Sequence, residues 1–141
     1  MPDILHLVGI AAEPIRVFEA LTTVEGIRHW WSEDTQGDAK EGGEFQFRNN
    51  RFHVIHADPS LVTWRYSGPA KEWESTEITF RLEWREVQTI VLFKQAGWRE
   101  PVEFMHHCST KWGVFLLSLK SLLETGKGTP WPNEIKLDSW E

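Results

Sequence analysis

Cysteine is almost missing from this chain of 141 residues: Cys108 stands alone, so no disulfide can close within it. Basic residues are in deficit too, with 15 Lys and Arg against 21 Asp and Glu and a formal charge of -6. A phosphate backbone is held by clustered positive charge, so the balance argues against nucleic acid as a partner. No apolar run reaches the ~18 residues that cross a bilayer, and the first residues show no signal-peptide pattern. The expectation is a cytoplasmic protein without membrane insertion. The chain also lacks a Gly-rich phosphate loop, a Walker sequence and zinc-ligand spacing, which leaves no cofactor or metal to expect.

The chain is instead rich in large flat side chains. Nine Trp and eight Phe accompany a single Tyr, and 40% of the residues are hydrophobic. That supply suffices for one domain over residues 1–141. It also raises the question of whether every ring is needed for a core or whether some line a cavity or contact surface.

The strongest periodic signal lies near the end. In Val102–Glu124 the residues Met105, Cys108, Trp112, Phe115, Leu119 and Leu122 recur at steps of three and four, one stripe of a long helix. Most of the chain before it reads as strands. Asp3–Ala12 is a first strand with Ile4, Leu7 and Ile10 proposed for its buried side. Pro14 then opens a helix through Phe18 and Leu21, and a second short helix covers Val24–Trp31, ending in the pair Trp30 and Trp31.

Residues 32–43 are polar and glycine-containing, a loop or weak edge strand. Glu44–Arg48 alternates, and Asn49 and Asn50 suit a hairpin turn because asparagine tolerates positive φ. Phe52–Ala57, Leu61–Tyr66, Thr76–Arg85 and Gln88–Ala96 follow as strands of an antiparallel meander. In Thr76–Arg85, Ile78, Phe80, Leu82 and Trp84 alternate with polar residues, the pattern of a half-buried strand. Gly126, Gly128, Pro130 and Pro132 stop the long helix, and residues 124–141 form an extended tail. Trp131 and Trp140 in that tail are expected to pack on the domain or on a second copy in a homodimer.

The order strand, two helices, meander, long helix predicts an α+β fold in which a curved antiparallel sheet wraps a C-terminal helix. AAEPIRVFEALTTVEGIRHWW, EGGEFQF, DPSLVTWRY, TEITFRLE and CSTKWGVFLLSLKSLLETGKGTPWP together resemble, in order and over nearly the whole chain, the START-like helix-grip superfamily. The resemblance is to its branch similar to the C-terminal domain of the activator of the heat-shock-protein-ninety ATPase. It implies an apolar cavity between sheet and helix. Its members include lipid and hydrophobic-ligand binders, co-chaperone domains and polyketide cyclase-like proteins, so function stays open. Many relatives carry a His where this chain has Gln95, which counts against roles that need a titrating group there.

The cavity that the resemblance implies would be lined by Phe45, Phe47, Trp64, Phe80, Trp84, Phe93, Gln95, Met105, Trp112 and Phe115, with Gln95 orienting a ligand by hydrogen bonds. Plain core packing explains each of these residues as well. His106, His107 and Cys108 are consecutive on a helix and point about 100° apart, so they cannot converge on one ion. His53 and His56, three apart on a strand, are expected on opposite faces. A Cys108 nucleophile would need a base, and His6 and His29 cannot be placed from sequence. The favoured reading is a non-enzymatic binder of a small hydrophobic molecule, lipid or aromatic. The alternatives are a co-chaperone-like interaction domain and a cyclase-like or hydrolase-like enzyme.

Overall fold

A computed structural model describes residues 2–141. The elements run β1 (Ile4–Ile10), α1 (Pro14–Thr22), α2 (Val24–Trp30), β2 (Gln36–Gly37), β3 (Glu44–Phe47), β4 (Asn50–Asp58), β5 (Leu61–Tyr66), β6 (Glu77–Arg85), β7 (Gln88–Ala96) and α3 (Glu103–Thr125). A single 3-10 turn, Lys71–Trp73, interrupts the connection between β5 and β6. The seven strands form one sheet in the order β1-β7-β6-β5-β4-β3-β2, with every pair antiparallel. The chain folds as a curved sheet closed by α3, the helix-grip arrangement expected from the order of elements.

Two-residue turns set the meander. Arg48–Asn49 joins β3 to β4, and Glu86–Val87 joins β6 to β7. Positive φ in the first of these falls on Arg48 (φ 53), not on Asn49 or Asn50, although asparagine bears that conformation more readily. The inner face carries Phe45, Phe47, Phe52, Val54, Trp64, Tyr66, Ile78, Phe80, Val91 and Phe93, all buried. Against it lie Ile27 and Trp30 of α2 and Cys108, Trp112, Phe115, Leu116 and Leu119 of α3. A left-handed residue, Gly126 at φ 87, ends α3 and donates to the Leu122 carbonyl, as expected for a helix stop without a Cβ.

Two faces differ from the sequence reading. On β1 the inner side carries Ile4, His6, Val8 and Ile10, while Leu7 is 61% exposed. Ile4, Leu5, Leu7 and Val8 are all apolar, so hydrophobicity alone does not fix the parity of this strand. In β4 the register shifts between Val54 and His56, and Ile55 is the extra residue of a bulge. One inserted residue restores parity, so His53 opposite Arg65 and His56 opposite Thr63 share the outer face instead of taking opposite ones. There they pair separately, His53 with Glu44 and His56 with Glu41 and Asp58.

Candidate functional site

A cavity of about 200 Å³ opens where the β3–β4 turn, the β5–β6 connection and the first four turns of α3 converge. Trp31, Phe47, Trp73, Trp112 and Phe115 supply its aromatic walls, and Arg48, His107 and Lys111 are the ionisable nitrogen groups along it. From α3 come Phe104, His107, Cys108, Lys111, Trp112 and Phe115. Steps of three and four bring these residues to one side of the helix at its N-terminal half.

The walls are fixed by hydrogen bonds, fully buried at Gln95 and part-buried at Trp73. Trp112 Nε1 donates to Gln95 Oε1 at 3.0 Å, and Gln95 Nε2 donates to Thr76 Oγ1 at 3.1 Å. Thr76 Oγ1 in turn donates to the Trp73 carbonyl at 2.8 Å, and Trp73 Nε1 to Cys108 Sγ at 3.3 Å. The chain of bonds links the two indoles that stack across the wall, with centroids 6.1 Å apart at 15°. Trp31 joins them, 4.9 Å from Trp112 and stacked on Trp64 at 5.5 Å. Indoles held by both packing and their polar N–H have little rotational freedom.

Of the ten residues proposed to line the cavity, Phe47, Trp112 and Phe115 do so. Phe45, Trp64, Phe80 and Phe93 lie beneath it as solid core, edge to face from each ring to the next, with Phe80 edge-on and Phe93 tilted against Trp112. Gln95 is fully buried and its amide is spent on Trp112 and Thr76, so it positions a wall rather than a ligand. Met105 is half-buried against the core and does not reach the cavity. Trp84 is 49% exposed near the end of β6, where the burial of the strand's inner face gives out.

Sequence reading missed Trp73, which sits in a polar connection with no periodic pattern, and Arg48 and Lys111. For Lys111 the signal that reaches it is its spacing on α3, one turn from His107 and from Phe115. Only the fold brings Arg48 to the same opening.

The cations are tied to the polypeptide behind them. Lys111 Nζ donates to Glu134 at 2.6 Å and to Glu141 at 2.5 Å, both from the tail, and the Glu134 side chain is 1% exposed. Lys136 bonds the other Glu134 oxygen at 2.8 Å. Burial raises the Glu134 carboxyl, but the bonds from Lys111 and Lys136 outweigh it and hold the group below the ordinary carboxylate value. Lys111 is raised in turn, its hydrogen bonds to the two glutamates prevailing over burial. Arg48 donates through Nη1 to Ser32 Oγ at 3.0 Å and Asp34 Oδ1 at 3.4 Å, and its guanidinium covers the Trp131 ring at 3.9 Å. Burial lowers the Arg48 pKa against the pull of Asp34 and Glu134. Trp131 thus packs on the domain as expected, while Trp140 is 91% exposed and does not.

Thiol chemistry is poorly served here. Burial pushes the Cys108 thiol up to about 12, against the bond from Trp73, whereas a nucleophilic cysteine is held as thiolate near neutrality. His6, one candidate base, donates through Nε2 to the Ser109 carbonyl at 2.9 Å, and the exposed His29 donates to the Glu25 carbonyl at 2.7 Å. Among the described residues no group of three His, Cys, Asp or Glu side chains is arranged to hold a metal ion, and no helix is long and apolar enough to cross a membrane.

Comparison with known proteins agrees with this architecture. No curated protein matches the chain. The Aha1 dimer from Colwellia psychrerythraea, solved in solution, is 43% identical, with 91% of this chain and all of that one covered at a TM-score of 0.84. A protein from Staphylococcus saprophyticus shares the fold at 20% identity, covering 90% of this chain and 95% of its own, with a TM-score of 0.76. CalU16 from Micromonospora echinospora does so at 21%, covering 86% and 74%, with a TM-score of 0.74. The model of the family described as "Activator of Hsp90 ATPase homolog 1-like protein" matches residues 11–124, and the chain belongs to that family.

Proposed function

We propose that this protein binds a small hydrophobic molecule in the cavity beside α3. The observation that carries the reading is that three indoles, Trp31, Trp73 and Trp112, border open space while a chain of hydrogen bonds through the buried Gln95 holds two of them in place. A rigid apolar wall receives a flat ligand without first losing side-chain entropy. Size favours an aromatic compound over a lipid, because about 200 Å³ falls below the ~300–1,000 Å³ usual for drug-sized ligands. The fold is shared by many hydrophobic-ligand binders, which agrees with this use. The raised Cys108 thiol favours binding over covalent catalysis. Native mass spectrometry against the denatured mass, followed by tryptophan-fluorescence titration with naphthalene derivatives, tests it. A displaceable extra mass or saturable quenching supports the reading, and the absence of both sinks it.

A second reading rests on the outer face of β1. Leu5 and Leu7 are 66% and 61% exposed on an edge strand of the sheet, beside Leu92 and Leu61. Exposed apolar edges invite pairing. With a dimeric relative at 43% identity, this face is proposed as the contact of a homodimer. Sedimentation analysis of the wild type and a Leu5→Lys, Leu7→Lys variant checks it: a wild-type dimer made monomeric by the substitutions supports it, and a dimer in both removes it.

A further inference from the structure

The charged side chains lining the cavity are of one sign. Arg48 and Lys111 border it with His107, and no Asp or Glu is among its lining residues, although the whole chain carries six more acidic groups than basic ones. The balancing carboxylates stand behind the cations: Asp34 on Arg48, and Glu134 and Glu141 on Lys111. Arg48 occupies a left-handed backbone position, φ 53, the conformation that Glu86 takes at φ 58 in the matching β6–β7 turn, and the hairpin thereby sets its side chain at the cavity mouth.

The two glutamates on Lys111 are not equivalent. Glu134 is buried and shared with Lys136, so its charge is needed where it is. The Glu141 carboxylate is 20% exposed, and apart from Lys111 it accepts only the Leu137 amide among the described residues. A lysine ammonium offers three donors in a flexible geometry, so it can turn from Glu141 to another anion at little cost.

We propose that the cavity takes an anionic aromatic ligand, its ring against Trp31, Trp73 and Trp112 and its carboxylate or equivalent anion exchanging with Glu141 at Lys111, with Arg48 as second cationic partner. This rests on the cavity reading above and specifies the class of molecule. Exchange of one carboxylate for another keeps the local charge balanced, whereas a neutral ring gains only the apolar wall. The tail glutamate therefore acts as an internal competitor that sets how tightly the anion is held.

Calorimetric titration of the full chain with 2-naphthoate and its uncharged counterpart 2-naphthamide separates the claims. The wild type is expected to bind the acid about tenfold or more tightly than the amide, with the gap shrinking in high salt. Glu141→Gln is expected to strengthen the acid severalfold and leave the amide unchanged. Lys111→Met should remove the preference. Equal binding of acid and amide, or no gain in Glu141→Gln, overturns the anion assignment while leaving the cavity reading intact. Failure of both probes to bind overturns the two together.

Discussion

The indole N–H of Trp112 donates to the side-chain carbonyl of Gln95 at 3.0 Å, with both residues buried between sheet and helix. The bond joins the middle of α3 to the end of β7 and is continued to Trp73 through Thr76. Leucine at position 95 keeps much of the volume but strands the indole donor in an apolar interior. Gln95→Leu is expected to lose about 1–3 kcal/mol of unfolding free energy, read from urea titration, together with part of the near-ultraviolet tryptophan dichroism. A change below roughly 0.5 kcal/mol, the range of an unremarkable surface substitution, would show that the bond is dispensable.

Trp112 and Trp73 border the same cavity but differ in what lies behind them. Trp112 packs on Phe80, Phe93 and Trp31, whereas Trp73 is half-buried on a connection. Trp112→Ala is expected to cost about 3–5 kcal/mol, as for a large core ring. Trp73→Ala should cost nearer ~1–2 kcal/mol and leave a folded protein whose affinity for 2-naphthoate is sharply reduced. Equal losses of stability in the two variants would place Trp73 in the core and take the cavity wall apart as a functional unit.

What sequence made legible was whatever repeats. Steps of three and four gave α3 within a residue of its ends, and alternation gave β6, whose outer face is largely polar; β7 was placed by Val91 and Phe93 on one face although Ile90 and Leu92 stand on the other. Alternation failed on β1, where Leu5 and Leu7 add apolar residues on the outer side, and on β4, where the bulge at Ile55 shifts the parity of His56. The cavity was legible only in part. Phe47, Trp112 and Phe115 sit on periodic elements, but Trp73 lies in a connection and Arg48 meets Lys111 only after the sheet has curled. Gln95 stood out in the sequence through the resemblance, as the position where many relatives carry a His, yet its partner, an indole N–H on the helix, is a tertiary fact.

Cys108 provides a pH test of the same wall. Its folded thiol is raised to about 12, while an unfolded thiol titrates near ~8.5. Between those values the unfolded chain has given up a proton that the folded one keeps, so stability must fall as pH rises through that window. Wild-type stability should therefore decline from about pH 9 upward more steeply than that of Cys108→Ala. Alkylation of the native thiol at pH 8 should be slow and be slowed further by bound 2-naphthoate. Parallel stability profiles for the two proteins, or rapid native labelling, would contradict the burial of this group.

The docking of the tail has the opposite dependence. Glu134 and Glu141 are both held below the ordinary carboxylate value, Glu134 by bonds that outweigh its burial and Glu141 chiefly by its bond from Lys111. Their contribution is present at neutral pH and is lost as pH falls through the lowered values, where the folded carboxylates finally take up protons. Lys111, being raised, loses its charge only at alkaline pH and does not limit docking on the acid side. Amide protection in residues 126–141, measured by hydrogen exchange and corrected for intrinsic rates, should be lower at pH 3 than at pH 7. Glu134→Gln should reproduce that loss at pH 7, by about tenfold or ~1.4 kcal/mol in the local opening equilibrium. Protection unchanged in Glu134→Gln would mean that Trp131 on Arg48, and not the charge cluster, holds the tail beside the cavity.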